Sequence, residues 1–269
     1  MFHILDHFKD KIVSIGFTSD VWSNRDMESF VSLTIQFLTD EIEIIRLVPY
    51  TSHFPQCHTG VNIKMKIEKM LEALGLDSNT ITKYVCHDNA ANCVLGFSLI
   101  DDMVQVFCIC HTIQLCVRDA LKEDVMGVSL SKLIKTSHEL AKKVKMSGTM
   151  TQELKEACKA VGIKYTKLLP AQVTRWFSTE MNIASLLRVQ GGVNYLYERR
   201  NVSEWWSNLE ISNQGWRLLR AVHTLLQPVK LVSKCFEAET TTTSNLVIPK
   251  LYQLKQKFES FEKDESNDR

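Results

Sequence analysis

Residues 11–22, KIVSIGFTSDVW, and residues 81–92, ITKYVCHDNAAN, decide how this chain is read. Each begins as an apolar, β-branched run and reaches an aspartate near its end, Asp20 in the first and Asp88 in the second. Such runs read as strands. Open α/β sheets carry their ligand-binding groups at the carboxyl ends of strands. Two carboxylates held there on neighbouring strands would form a hard, oxygen-lined site suited to Mg²⁺.

Working outward, residues 30–38 (FVSLTIQFL) and 43–50 (EIIRLVPY) read as two further strands, with Pro49 suited to an edge or a strand end. Three strands in series with short links suggest an antiparallel meander. Residues 59–74 read as an amphipathic helix, with Ile63, Ile67, Met70, Leu71 and Leu74 on one face and Gly75 ending it. A strand over 81–87, a helix over 89–101, a strand over 104–109 and a helix over 111–121 follow. The order β-β-β-α-β-α-β, with right-handed crossovers in its second half, is that of a ribonuclease H-like core. In that core the first and fourth strands are neighbours, which would bring Asp20 and Asp88 together. The expected class is α/β, with residues 1–125 as the core.

Beyond residue 128 the apolar spacing is helical. Helices are expected over 130–144, 150–161, 177–193, 216–236 (kinked at Pro228) and 246–261, with a linker at 240–243. Residues 126–262 read as an α-helical insertion region and 263–269 as a polar tail.

The formal charge of +1 carries no global nucleic-acid signature, so any basic surface must be local. No apolar run is long enough for a membrane helix, and the amino terminus lacks the pattern of a signal peptide. The eight cysteines include no Cys-x-x-Cys pair, which suits reduced thiols in an intracellular protein.

Three further groups carry chemistry. Cys108 and His111 have Cys-x-x-His spacing at a strand-to-helix junction, but no second pair at finger-like spacing appears, and a structural zinc is not expected. Arg175-Trp176 could pair with a phosphate and stack on an unpaired base, or serve as an ordinary surface arginine beside a packing tryptophan. Residues 132–167 hold nine lysines against three glutamates, among them Lys142, Lys143 and Lys145. That is either a phosphate-contacting patch or a solvated helix face. Asp88-Asn89 could equally cap the helix that follows. Trp205, Trp206 and Trp216 read as core or interface anchors.

With these pieces in place, the chain resembles the hAT superfamily of DNA transposases and their domesticated zinc-finger-BED relatives. The matching segments are FTSDVWSNRDMESFVSLTIQFL, PYTSHFPQCHTGVNI, VCHDNAANCV, CICHTIQLCVRDAL, VTRWFSTEMNIASLL and LLQPVKLVSKCFEAETTTTSNLVIPKLYQL, in the family's order. The resemblance implies a ribonuclease H-like catalytic core interrupted by a helical insertion, acting on DNA with Mg²⁺ or Mn²⁺. By resemblance, Asp20 and Asp88 are the first two members of an acidic triad. Cys108 and His111 match the family's Cys-x-x-His motif. Arg175 and Trp176 match an Arg-Trp motif whose tryptophan stabilises a flipped base. Ala171 stands where many members have an aspartate.

The third acidic residue, a glutamate after the insertion, has no counterpart here; Glu180, Glu237 and Glu239 lie in the wrong context. The BED finger and the dimerisation segment are also unmatched, so homo-oligomerisation is expected only of full-length relatives. The expectation is a DNA-binding remnant of a metal-dependent strand-cleaving enzyme, inactive alone and located in the nucleus. The alternative is a domesticated nuclear regulator that binds DNA or protein without catalysis.

Overall fold

The structure, a computed structural model, describes residues 12–24, 26–76, 83–171, 177–199, 201–237 and 243–267. The chain divides into two compact units, Met1–Thr112 and Ile113–Arg269.

The first unit is built on a five-stranded sheet. Its strands are β1 (Ile12–Ser23), β2 (Ser29–Thr39), β3 (Ile44–His53), β4 (Lys83–His87) and β5 (Met103–Phe107), in the spatial order β3-β2-β1-β4-β5. The first three pair antiparallel, whereas β1 pairs parallel with β4 and β4 with β5. The unit is an α/β, ribonuclease H-like core, and its first and fourth strands are neighbours as the element order implies.

One boundary departs from expectation in a way that matters. The apolar run that marks this strand spans residues 11–17, and Asp20 is expected at the strand's carboxyl end. The strand instead runs to Ser23, because its ladder with β2 continues through Asp20↔Ser32, Trp22↔Phe30 and Ser23↔Ser29. Its pairing with β4 stops earlier, at Thr18↔Cys86. Asp20 therefore lies on an extended strand whose β4-side edge has just been released.

Two helices cover one face of this sheet, α1 (Gly60–Glu72) and α2 (Ala91–Ser98). Thr59 caps α1 by accepting a hydrogen bond from the Asn62 N–H (3.3 Å). Side chains alternate across a strand, so Ile15 and Phe17 of β1 and Val85 of β4 enter the core. There they join Val31, Leu33, Ile35 and Phe37 of β2 and Ile63, Ile67, Cys93 and Phe97 of the helices. Thr18, Asp20 and Cys86 occupy the opposite parity, and none of the three is buried. The two helices meet where Gly60 and Gly96 allow it. A Cβ on Gly96 would stand 2.8 Å from Ile63 Cγ2 and 3.0 Å from the Gly60 carbonyl oxygen.

The helix α3 (Ile109–Ala120) contains the boundary between the units. The second unit continues with α4 (Glu123–Met126), α5 (Val128–Met146), α6 (Gly148–Ala160), α7 (Ser178–Arg188), α8 (Gln190–Tyr197), α9 (Trp205–Asn208), α10 (Asn213–Phe236) and α11 (Val247–Asn267). Its core packs Leu140, Val144, Leu154, Ile183, Leu186, Trp206, Trp216 and Leu219.

The single helix expected over 177–193 is two, broken at Val189. That residue leaves helical geometry (φ −112°, ψ 13°) while its side chain stays fully buried. Its N–H closes a tight turn onto the Leu186 carbonyl (3.0 Å). The helix α10 starts earlier than the apolar stripe, at Asn213, because Ser212 Oγ accepts from the Gly215 N–H (3.1 Å). It continues as one helix through Pro228. The last helix runs on to Asn267, into the segment read as a polar tail. Of the linker at 240–243, only Thr243 lies within the described residues.

Candidate functional site

Parallel pairing in register (Ile15↔Lys83 to Thr18↔Cys86) sets the geometry of the two aspartates. Continuing that register two residues beyond its last pair sets Asp20 opposite Asp88. Asp88 is the first residue after β4, at the carboxyl end where such sheets bind ligands.

The Asp88 turn is held firmly. The His87 imidazole is buried and stacks on Phe97, with ring centroids 4.6 Å apart. Its Nδ1–H donates to the Asp88 carbonyl, and its Nε2 accepts from the Gln105 side-chain amide at 2.9 Å, whose nitrogen also donates to the Val94 carbonyl. Asp88 Oδ1 accepts from the Ala90 N–H (3.1 Å), closing a local turn. The cap position of α2 itself is Ala90, with no side-chain cap bond. Asn89 and Asn92 tie down the same loop, donating to Thr112 Oγ1 (3.0 Å) and to the His58 carbonyl (2.8 Å). Asp88 is thus a turn former with one oxygen engaged, on a scaffold of neighbouring side chains.

The electrostatics record how closely the acidic groups approach. The Asp20 carboxyl is pushed above the ordinary aspartate value, first by partial loss of hydration and then by the charges of Asp88 and Cys108; the Val21 N–H and His111 oppose the shift. The residue as a whole is exposed, so solvent screens these interactions. Cys93 of α2 reaches the same cluster. Burial, the Asp88 carboxylate and a hydrogen bond to it push its thiol up to about 12. The structure gathers Asp20, Asp88, Cys108 and His111, with Cys93 and the positioning residue His87 beside them.

Cys108 follows β5, and its N–H donates to the His87 carbonyl (2.9 Å). Its sulfur is hydrogen-bonded first by Cys110 and then by Cys86, which holds it far below the usual thiol range; the Cys86 thiol is pushed up in exchange. All eight cysteines are free.

The other expected site residues fall elsewhere. Lys142, Lys143 and Lys145 lie on α5 in the second unit, with Lys142 and Lys145 exposed. Arg175 and Trp176 lie outside the described residues. The three tryptophans read as anchors divide: Trp206 and Trp216 are buried, whereas Trp205 is 37% exposed. Glu180 is buried, with its carboxylate engaged by Lys230 and by His223 (3.2 Å).

A divalent cation suits the donor set of the first unit. Asp20 and Asp88 are carboxylates placed on neighbouring strands, and their repulsion is one cause of the raised Asp20 value. Mg²⁺ needs only one or two protein carboxylates, with water and phosphate oxygens completing its shell. Among the described residues, no group of three or more His, Cys, Asp or Glu side chains is placed to hold a metal ion.

Fold and site together define a ribonuclease H-like α/β unit with paired carboxylates at the ends of adjacent parallel strands. The family described as ZBED1 RNase-like domain matches residues 18–112, a span that begins just before Asp20 and ends just after His111. The human zinc finger BED domain-containing protein 4 is 22% identical over 267 residues, covering 95% of this chain and 22% of that protein. A Zea mays protein named as an AC transposase is 25% identical over 192 residues, covering 66% of this chain and 23% of the relative. The chain is thus similar to proteins of the hAT-like transposase group, through its first unit for the family model and over most of its length for the two relatives. It spans less than a quarter of the length of either relative. Among the described residues, no helix is long and apolar enough to cross a membrane.

Proposed function

We propose that this chain is the metal-holding, DNA-binding part of a hAT-like transposase, without a complete catalytic centre of its own. The observation that supports this is the parallel register of β1 and β4, which, continued two residues past its last pair Thr18↔Cys86, aligns Asp20 with Asp88. Asp20 and Asp88 are the residues that would hold Mg²⁺ or Mn²⁺, and such an ion would supply polarisation of phosphate oxygens. His87 and Gln105 orient the Asp88 turn, and Cys93 donates to its carboxylate. The partner is DNA and the compartment is the nucleus, in keeping with the transposase relatives.

A second reading, a nuclear DNA- or protein-binding regulator without catalysis, draws on the missing third ligand among the described residues. Both readings predict binding, and they part on whether the metal matters.

The test incubates the purified chain with duplex and hairpin DNA and titrates Mg²⁺ or Mn²⁺, beside Asp20→Asn and Asp88→Asn. Saturable metal binding lost in both variants, without strand cleavage, supports the proposal. Metal-dependent cleavage lost in both would overturn the claim of incompleteness. DNA binding unaltered by metal and by either substitution would favour the regulator.

A further inference from the structure

The second unit carries a cavity of about 770 Å³ that plays no part in the metal chemistry of the first. One wall is a face of α5. Lys135, His138, Glu139, Lys142, Lys143 and Met146 follow one another at the three-to-four spacing of a helix face, and all line the cavity. Opposite them stand Trp205 of α9 and the chain at Pro170 and Ala171. A volume of this size lies within the range of small-ligand sites.

The cavity combines cations with an aromatic face. Lys143 Nζ sits 3.6 Å from the centre of the Trp205 ring. Lys135 is held outward by Glu123 (2.9 Å), whereas among the described residues Lys142 and Lys143 have no carboxylate within ion-pair distance. His138 also lines the cavity, and its Nε2 is shielded from water with no hydrogen-bond partner among the described residues. Burial lowers its pKa. The Trp205 ring is positioned from behind. Glu153 of α6 accepts from the Ser203 N–H (2.9 Å) and from the Trp206 indole N–H (2.7 Å), which anchors the short helix carrying Trp205.

We infer that this cavity is a binding site for a nucleotide of single-stranded DNA, with the base on Trp205 and the flanking phosphates on Lys142 and Lys143. Aromatic faces bind bases of any sequence by stacking, and adjacent lysines follow the backbone. The Lys143 ammonium, which covers the indole in the free protein, moves to a phosphate when the base takes its place. This site is separate from Asp20 and Asp88 and needs no metal.

The test uses the full chain and a fluorescently labelled ten-nucleotide oligothymidylate, read by anisotropy as a function of salt in EDTA. Trp205→Leu is expected to weaken binding about tenfold with little change in salt slope, since a stacked base adds no counterion release. Lys142→Gln with Lys143→Gln is expected to weaken binding and to reduce the salt slope by about 0.7 for each phosphate no longer neutralised. Lys234→Gln, at an exposed lysine of α10 outside the cavity, should bind as the parent does. Thermal unfolding of each variant separates lost binding from lost fold; Trp205→Phe, which keeps a stacking face, should recover most of the affinity. The proposal is overturned if oligothymidylate binding is indifferent to Trp205, or if Lys234→Gln reduces it as much as the cavity substitutions do. The metal experiment above can fail while this one succeeds, and the reverse.

Discussion

Glu153 Oε2 accepts a 2.7 Å hydrogen bond from the indole N–H of Trp206, a tryptophan that is 1% exposed. The other carboxylate oxygen takes the Ser203 N–H at 2.9 Å, so one side chain satisfies two donors. Removing it by Glu153→Ala strands a buried indole donor, a loss of about 1–3 kcal/mol. Urea unfolding should show that loss, with a change in near-ultraviolet circular dichroism from the displaced tryptophans. Glu153→Gln, which keeps one acceptor, should lose less.

Gly96 tests the packing of α1 against α2. An alanine there pushes into Ile63 at 2.8 Å, closer than real Cβ atoms approach, and stands tight against the Gly60 carbonyl at 3.0 Å. Overpacking of this kind costs about 1–3 kcal/mol. The variant should unfold at lower urea concentration with an unchanged m-value, since the surface exposed on unfolding is the same.

The pH dependence of Asp20 has a definite sign. Its folded-state pKa lies above the unfolded value, so the folded chain holds the proton more tightly. Stability from this group is present in full below the ordinary aspartate value and is lost as pH rises through the raised folded value. Asp20→Asn, which never ionises, should therefore be more stable than the parent at pH 7, and the difference should vanish in acid. Mg²⁺ at pH 7 should narrow the gap by stabilising the parent alone. A parent more stable than the variant at neutral pH without metal would contradict this arrangement.

Glu180 is 3% exposed and is engaged by Lys230 and His223. Glu180→Ala leaves those groups without their carboxylate in a half-buried setting, and loss of a buried partner costs about 3–5 kcal/mol. Thermal or urea unfolding should show a loss of that order. Metal binding by the first unit should persist wherever the variant stays folded.

Much of the first unit is legible in the linear chain because its elements alternate in period. Two-residue alternation over 30–38 and three-to-four spacing over 59–74 separate strand from helix without help from tertiary contacts. The end of β1 is not legible that way. The apolar run stops at Phe17, and the ladder with β2 carries the strand on past Asp20 to Ser23. The break at Val189 is hidden for a similar reason, since an apolar residue continues the helical stripe whether or not the backbone turns there. Of the site, the aspartates and the Cys-x-x-His spacing stand out by residue type. His87 and Cys93 do not, because a positioning imidazole and a buried thiol look like ordinary core residues until their partners are known. Trp205 and Trp206 are identical in type and adjacent in sequence, yet one is buried on Glu153 and the other stands at a cavity.

By itself the sequence determined the element order and the class of the first unit, with its first and fourth strands as neighbours, since these follow from apolar period. Tertiary structure alone decided the residue-by-residue register of β1 on β4, Thr18 opposite Cys86, and that Lys143 meets Trp205. Those meetings join residues far apart in the chain, and they depend on strand pairing and helix packing that no local period encodes.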